Sequence, residues 1–225
     1  MQKTKPLSFA LIGRSGCGKG TQADLLMKHF GNIFYVSTGG MLRDLSKMDT
    51  LVGKAANKVL EDGGLIPDFM IIGLWMRELC LNLKDGQGFL FDGALRRLSE
   101  PKALDGFLKF LDREGSFFPI LLDISRQEAF DRLTKRRICK KCGKIIPFIG
   151  EFKKLEKCDA CGGELFHRQD DNVDAIKNRL DYFDKEVVEV LDYYKNDNRL
   201  ITVNGDQPIE KVFQDILKAV EAKVK

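Results

Sequence analysis

Nowhere in this sequence does an apolar run approach the ~18 residues of a membrane span, so no transmembrane helix and no membrane partner are expected. Charge of one sign is not in excess either. The 37 Lys and Arg stand against 33 Asp and Glu, a net +4, which is too little to argue for a nucleic-acid partner. The opening stretch MQKTKPLSFALIG carries early lysines, but its apolar run is too short for a signal peptide, and it has no small-residue cleavage site. Internal repeats and low-complexity stretches are missing too. What is present is ordinary for a soluble globular enzyme, with 44% apolar and 31% charged residues. The 225 residues suffice for one substantial domain with insertions. No long apolar stripe is left unassigned, so a monomer is the default.

Short apolar runs at 7–12, 33–36, 89–91, 120–124 and 200–203 read as buried strands. Helical patterns lie between them. The first covers 19–29. The longest runs through Val173, Ile176, Leu180, Phe183, Val187, Val190 and Tyr194, whose steps of three and four put one apolar face along a single helix. Strands alternating with helices predict an α/β fold: a parallel sheet covered on both faces, connected by right-handed βαβ units. Residues 138–168 break the pattern and read as a small insertion.

Between the first strand and first helix stands Gly13-Arg14-Ser15-Gly16-Cys17-Gly18-Lys19-Gly20-Thr21. Glycines such as Gly16, Gly18 and Gly20 let backbone N–H groups wrap around phosphate oxygens. The following helix adds its N-terminal amides and the positive end of its dipole. Lys19 is placed to reach the β- and γ-phosphates of a nucleotide. The hydroxyl of Thr21 comes one position later than the usual Mg²⁺ ligand of such a loop. Asp92 closes the buried run Phe89-Leu90-Phe91 and falls at the carboxyl edge of the sheet, where it can hold Mg²⁺. A capping aspartate on a turn is the alternative for Asp92 considered alone.

The cysteines are economical. Cys139-x-x-Cys142 and Cys158-x-x-Cys161 are 15 residues apart, each pair followed by glycine (Gly143, Gly162). Four thiolates at that spacing suit a closed tetrahedral Zn²⁺ site with a structural role. A metal-free lid of reduced cysteines and a nucleic-acid-binding zinc ribbon are the alternatives. Cys17 and Cys80 read as small buried hydrophobes, and His167 as packing or surface. This cysteine usage fits a reducing cytoplasm.

Together the motifs resemble adenylate kinase in its long, zinc-containing bacterial form. The resemblance runs through GRSGCGKGTQADLL, VSTGGMLRD, GGLIPD, FLFDGALRR, FDRLTKRRIC, the CxxC pairs, HRQDDN, IKNRL and VNGDQPIEKV. It implies a five-stranded parallel core (1–36, 67–134 and 172–225), a monophosphate-binding segment (37–66) and a zinc lid (135–171). It also implies ATP and a nucleoside monophosphate as substrates. Carried over by position, Lys19 contacts the ATP phosphates, and Arg132 stacks on the ATP base beside the loop Asn204–Gln207. Arg136, Arg168 and Arg179 converge on the transferring phosphates. Arg43 and Arg96, with Gly93, hold the monophosphate, and Thr38 and Gly64–Ile66 line its pocket. The nucleophile is already a phosphate oxygen, so alignment and charge neutralisation suffice, with water kept out by a closing lid.

Three departures fall on the acceptor side. Gly40 stands where the family usually has Asp. Ala94-Leu95 stand where it has Phe-Pro. Glu100 stands where it has the Gln that reads the monophosphate base. Two readings of Glu100 remain. It faces the base, or it belongs to a helix start in which Ser99 is the N-cap. The expected reaction is ATP + AMP = 2 ADP. Alternatives are a kinase for GMP or a pyrimidine monophosphate, and a nucleotide-binding module with an eroded acceptor site.

Overall fold

The computed structural model describes residues 5–62, 64–167 and 171–224. The chain runs β1 (Ser8–Ile12), α1 (Lys19–Phe30), β2 (Ile33–Ser37), α2 (Thr38–Ser46), α3 (Leu51–Glu61), α4 (Asp68–Asn82), β3 (Gly88–Asp92) and α5 (Ser99–Phe110). It continues through β4 (Phe117–Asp123), α6 (Arg126–Thr134), β5 (Arg137–Cys139), β6 (Ile145–Ile146), β7 (Leu165–His167), α7 (Val173–Tyr182), α8 (Val188–Asn196), β8 (Ile201–Asn204) and α9 (Ile209–Val224). Five strands form one parallel sheet in the order β2-β3-β1-β4-β8. The five apolar runs read from the sequence are these five strands, each displaced by at most a few residues.

Side chains alternate across the strands, and both faces of the sheet are buried. Ala10, Ile12, Phe89 and Phe91 pack on one side with Trp75 of α4, Leu104 of α5 and Tyr194 of α8. Phe9, Leu11, Leu90 and Ile120 pack on the other with Leu26 of α1, Leu133 of α6, Ile176 of α7 and Ile216 of α9. Buried on both faces, the strands read as continuous apolar runs with no polar alternation.

The long helix expected from 173 to 194 is interrupted by a π-helical turn, Phe183–Val187, between α7 and α8. Its buried positions still include Ile176, Leu180, Phe183, Val187, Val190 and Tyr194, but Val173 is exposed at the helix start. Cys80 also departs from expectation. Cys17 is buried, but Cys80 is exposed on α4. The buried stripe of that helix is Ile71, Trp75 and Leu79, and Cys80 follows Leu79 by one residue, about 100° round the helix.

The insertion forms its own antiparallel sheet in the order β6-β5-β7. Its core is small: Cys139, Ile146 and Cys158, with Phe152, Leu155, Cys161 and Leu165 packed against them. Among the described residues, no helix is long and apolar enough to cross a membrane.

Candidate active site

The carboxyl ends of β1 and β3 open toward the glycine-rich loop. Gly18 precedes α1 in a left-handed conformation (φ 100°), and the first turn of α1 holds no acidic residue. No side chain of the helix's own first turn therefore offsets its positive end. The Lys19 ammonium folds back over the loop, donating to the carbonyls of Gly13 (2.7 Å) and Arg14 (2.9 Å). A phosphate oxygen can replace either carbonyl as its partner.

Two clefts flank this loop. The first, about 440 Å³ and open to solvent, is lined by Gly13, Lys19, Leu65, Gly93, Arg96 and Arg179, among others. The second, about 490 Å³, includes Gly16, Gly18, Thr21, Arg132, Arg136 and Gln207, with Phe148 of the lid insertion on its far side. Of the expected cationic residues, Lys19, Arg96 and Arg179 line the first cleft and Arg132 and Arg136 the second, while Arg43 lines neither.

Arg132, Arg136 and Arg179 are each held in a definite way. Arg132 is buried. Its guanidinium is fixed by Glu128 (2.6 Å), the Gly205 carbonyl (3.3 Å) and Asp206 (3.2 Å). That locks its plane against the 204–207 loop, where Asn204 accepts from the Asp206 N–H and Gln207 donates to the Asn204 carbonyl. Arg136 forms a two-point pair with Asp171 at 2.8 and 2.7 Å, and Arg179 donates to the same carboxylate at 2.8 Å. Arg43 is exposed on α2 and lies back over Gly39, whose added Cβ would stand 3.1 Å from Nη1. Arg168 lies outside the described residues.

On the expected acceptor side, Thr38 is 3% exposed, and its hydroxyl has no hydrogen-bond partner among the described residues. A buried hydroxyl without a partner is costly unless a ligand engages it. Gly64 donates to the Val59 carbonyl, and Ile66 is buried. Arg96 donates from Nε to the Gly93 carbonyl (2.8 Å), and its own carbonyl accepts from the Tyr182 hydroxyl (3.2 Å). Burial pushes the Tyr182 phenol up to about 12, so it remains a donor at neutral pH.

Glu100 is 2% exposed, and its carboxylate accepts from three backbone N–H groups: Leu95 (2.9 Å), Arg96 (2.9 Å) and Arg97 (3.2 Å). Burial raises its pKa, while the amides of Arg96, Leu95 and Arg97 pull the other way by favouring the ionised form. Both oxygens are thereby engaged within its own loop, which is not the arrangement a base-reading side chain would take. The expected N-cap also differs. Leu98 is the capping residue, and the Ser99 hydroxyl instead donates to Asp68, across 31 residues.

Asp92 ends β3, its Oδ2 3.7 Å from where a Cβ on Gly20 would lie, and it accepts from the Tyr35 hydroxyl at 2.9 Å. Burial first, then the Asp92 charge and hydrogen bond, push the Tyr35 phenol up, keeping it a donor. A carboxylate beside the phosphate loop fits a hard, oxygen-seeking cation such as Mg²⁺. Tyr35 and Asp171 were not singled out from the sequence. Asp171 lies in the HRQDDN stretch, which offered a signal. Tyr35 offered none.

In the insertion the four cysteine sulfurs lie within 4.8 Å of one another, with Cys139–Cys161 at 3.4 Å and Cys142–Cys158 at 3.6 Å. Four thiolates on one Zn²⁺ at ~2.3 Å would stand about 3.8 Å apart, so this donor set fits zinc. Each CxxC closes on a glycine N–H. Gly143 donates to the Cys139 carbonyl and Gly162 to the Cys158 carbonyl. Those two turns require φ of 72° and 69°, which glycine adopts without strain. His167 is exposed on β7 and is not part of this cluster.

The family model described as Adenylate kinase matches residues 11–199, from β1 through α8. The chain belongs to the adenylate kinase family. An adenylate kinase of Methanocella arvoryzae is 37% identical over 215 residues, covering 95% of this chain and 98% of that one. Adenylate kinases of Bacillus thuringiensis and Bacillus anthracis are each 38% identical over 213 residues, covering 93% of this chain and 96% of theirs. The match with these adenylate kinases thus spans the sheet, both clefts and the four-cysteine insertion.

Proposed function

We propose that the chain catalyses the reversible transfer of the γ-phosphoryl group of ATP to AMP, giving two ADP. The observation that carries this reading is the gathering of Lys19, Arg96 and Arg179 around one cleft beside the glycine-rich loop. The acceptor phosphate oxygen needs no general base. The protein's task is to bring two anions together in line and neutralise the charge that spreads over the transferring group.

In this reading Gly16, Gly18, Lys19, Gly20 and Thr21 hold the ATP phosphates, and Arg132 and the Asn204–Gln207 loop hold its base. Arg43, Arg96, Thr38, Gly93 and Gly64–Ile66 hold AMP. Arg136, Arg168 and Arg179 surround the transferring phosphoryl. Asp92 would hold Mg²⁺, which supplies charge neutralisation on the ATP phosphates. Cys139, Cys142, Cys158 and Cys161 would hold one structural Zn²⁺. Residues 37–66 form the AMP-binding segment and 135–171 the lid, both working on a core of 1–36, 67–134 and 172–225. A monomer in a reducing cytoplasm fits the thiol content and the absence of an unassigned apolar stripe in the sequence.

A second acceptor has one observation in its favour. The Glu100 carboxylate is taken by backbone amides, so it supplies no group to discriminate adenine from another base. A binding module without turnover is disfavoured, because Lys19, Arg96, Arg132, Arg136 and Arg179 all line the clefts beside the glycine-rich loop. The test is a coupled assay with ATP and AMP, GMP, CMP or UMP. AMP giving the highest kcat/KM supports the reading. GMP or a pyrimidine monophosphate ahead of AMP replaces the acceptor, and no turnover with any of the four rejects kinase activity.

A further inference from the structure

The turn that delivers Arg96 is sharply bent. Gly93 has φ 86°, and Leu95, fully buried, has φ 61°. A β-carbon disfavours that left-handed region, so such a residue persists only where its surroundings over-determine it. Glu100 provides the constraint. Its Oε2 takes the Leu95 N–H, and its Oε1 takes those of Arg96 and Arg97. These are three consecutive amides gathered onto one carboxylate in the first turn of α5. The other end of the Arg96 peptide unit is fixed by the Tyr182 hydroxyl on the Arg96 carbonyl, and its Nε is fixed by the Gly93 carbonyl. Arg96 is therefore pinned on either side of its Cα and at its guanidinium, and it lines the cleft beside Lys19 and Arg179.

We infer that Glu100 is a positioning residue for Arg96, holding the 95–97 amides so that the guanidinium meets the acceptor phosphate, and that it does not read the acceptor base. This rests on the reading of Arg96 as the acceptor-phosphate ligand. The chemistry at position 100 is specific to a carboxylate. Because both oxygens accept, a carboxamide placed there in either orientation turns an NH₂ donor against at least one backbone N–H. Glutamine would retain size and shape yet break the clamp.

The experiment is steady-state kinetics on Glu100→Gln, Glu100→Asp, Tyr182→Phe and Arg96→Ala, with AMP, GMP, CMP and UMP. For Glu100→Gln, KM for AMP is expected to rise about tenfold, the scale of one buried donor left opposed. KM for ATP should stay within about twofold, because the clamp lies on the acceptor side. The rank order of the four monophosphates should not change, since no base contact is lost. Glu100→Asp keeps the charge one methylene short and should fall between the two. Tyr182→Phe, which removes the other anchor, should raise KM for AMP in the same direction. In Glu100→Gln the Leu95, Arg96 and Arg97 amide resonances should move, a change independent of turnover. If Glu100→Gln instead reorders the monophosphates or improves AMP selectively, Glu100 reads the base and the inference is overturned. If Glu100→Gln is silent while Arg96→Ala raises KM for AMP, the clamp is unimportant and the role of Arg96 survives. If Arg96→Ala is itself silent, both readings fall.

Discussion

Asp171 holds Arg136 with both carboxylate oxygens, at 2.7 and 2.8 Å, and offers one of them to Arg179 as well, at 2.8 Å. Its side chain is 4% exposed, and those of the two arginines are 14% and 16%. Two like charges are thus brought to one place by a buried counter-charge between them. In the proposed mechanism these cations face a transferring phosphoryl group, so Asp171 sets both their spacing and their direction.

Replacing that carboxylate should be expensive for catalysis. Asp171→Asn keeps one acceptor oxygen but removes the charge that draws the two guanidiniums together. Breaking a largely buried pair costs roughly 3–5 kcal/mol. The arginines retain some solvent, which brings the expected loss to about 1–3 kcal/mol. We expect kcat to fall at least about tenfold with smaller changes in both KM values, and the melting temperature to drop by several degrees, on the scale of about 4 °C per kcal/mol or less for a chain of this size. Stopped-flow or coupled-assay kinetics beside a thermal melt checks both. Unchanged kcat would mean that Arg136 and Arg179 need no such tether.

Lys19→Met should abolish most of the phosphoryl transfer and leave the fold in place. The Nζ now bonds to the Gly13 and Arg14 carbonyls, and in the proposed mechanism it neutralises charge on the β- and γ-phosphates in the transition state. Removing one such donor typically lowers kcat by about 10²–10³-fold. Circular dichroism should be unaltered. Near-normal turnover in this variant would remove the glycine-rich loop from the mechanism.

The parts of the fold visible in the sequence were those decided by local pattern. The runs around Phe9–Ile12 and Phe89–Phe91 are buried on both faces and so announce themselves as strands. The spatial order β2-β3-β1-β4-β8 is not a local property, and the π-turn at Phe183–Val187 left no mark on the pattern, since both of its ends are buried and keep the step of four. The same division holds in the site. Lys19 and the four cysteines carry their meaning in their spacing. Arg43, Arg96, Arg132, Arg136 and Arg179 are ordinary charged residues until a family resemblance aligns them. Tyr35, Asp171 and the true partner of Ser99 depend on contacts across 57, 35 and 31 residues, which no short pattern encodes. Glu100 was legible only as an ambiguity, because a carboxylate in the first turn of a helix and a carboxylate facing a base look alike in one dimension.

The cysteine cluster predicts a metal. The apolar core of the insertion is too small to hold a three-stranded sheet by burial alone. The purified protein is expected to carry about one Zn²⁺ per chain, bound by Cys139, Cys142, Cys158 and Cys161. Cys142→Ser should weaken metal binding and lower the melting temperature by more than it lowers kcat at a temperature where the variant remains folded. The reason is that the sulfurs support the insertion and do not touch the transferring phosphates. Elemental analysis and a melt with and without a chelator measure this. An active preparation containing no metal would reject it.

Arg14 gives the molecule an acid-sensitive strut. Its guanidinium lies 4.7 Å from the centre of the Phe183 ring and donates to the Ile124 carbonyl at 2.9 Å and to Asp184 at 2.7 Å. Arg126 meets the other oxygen of Asp184 at 2.8 Å. Burial alone would raise the Asp184 carboxyl, but the Arg126 and Arg14 hydrogen bonds prevail and hold it below the usual aspartate value of 3.8. A carboxyl with a depressed folded-state pKa binds its proton more readily in the unfolded chain. Its contribution to stability is therefore present above 3.8 and is lost as pH falls through that value and below it. The side chain is 34% exposed, so salt should also weaken the contribution. Urea midpoints for the wild type and Asp184→Asn, compared at about pH 7, 5 and 3.5, should show the wild type ahead by a margin that is steady between the first two and shrinks at the third. The margin at neutral pH should shrink again in about 1 M salt. A margin that is the same at all three pH values would show that Asp184 contributes through packing and not through its charge.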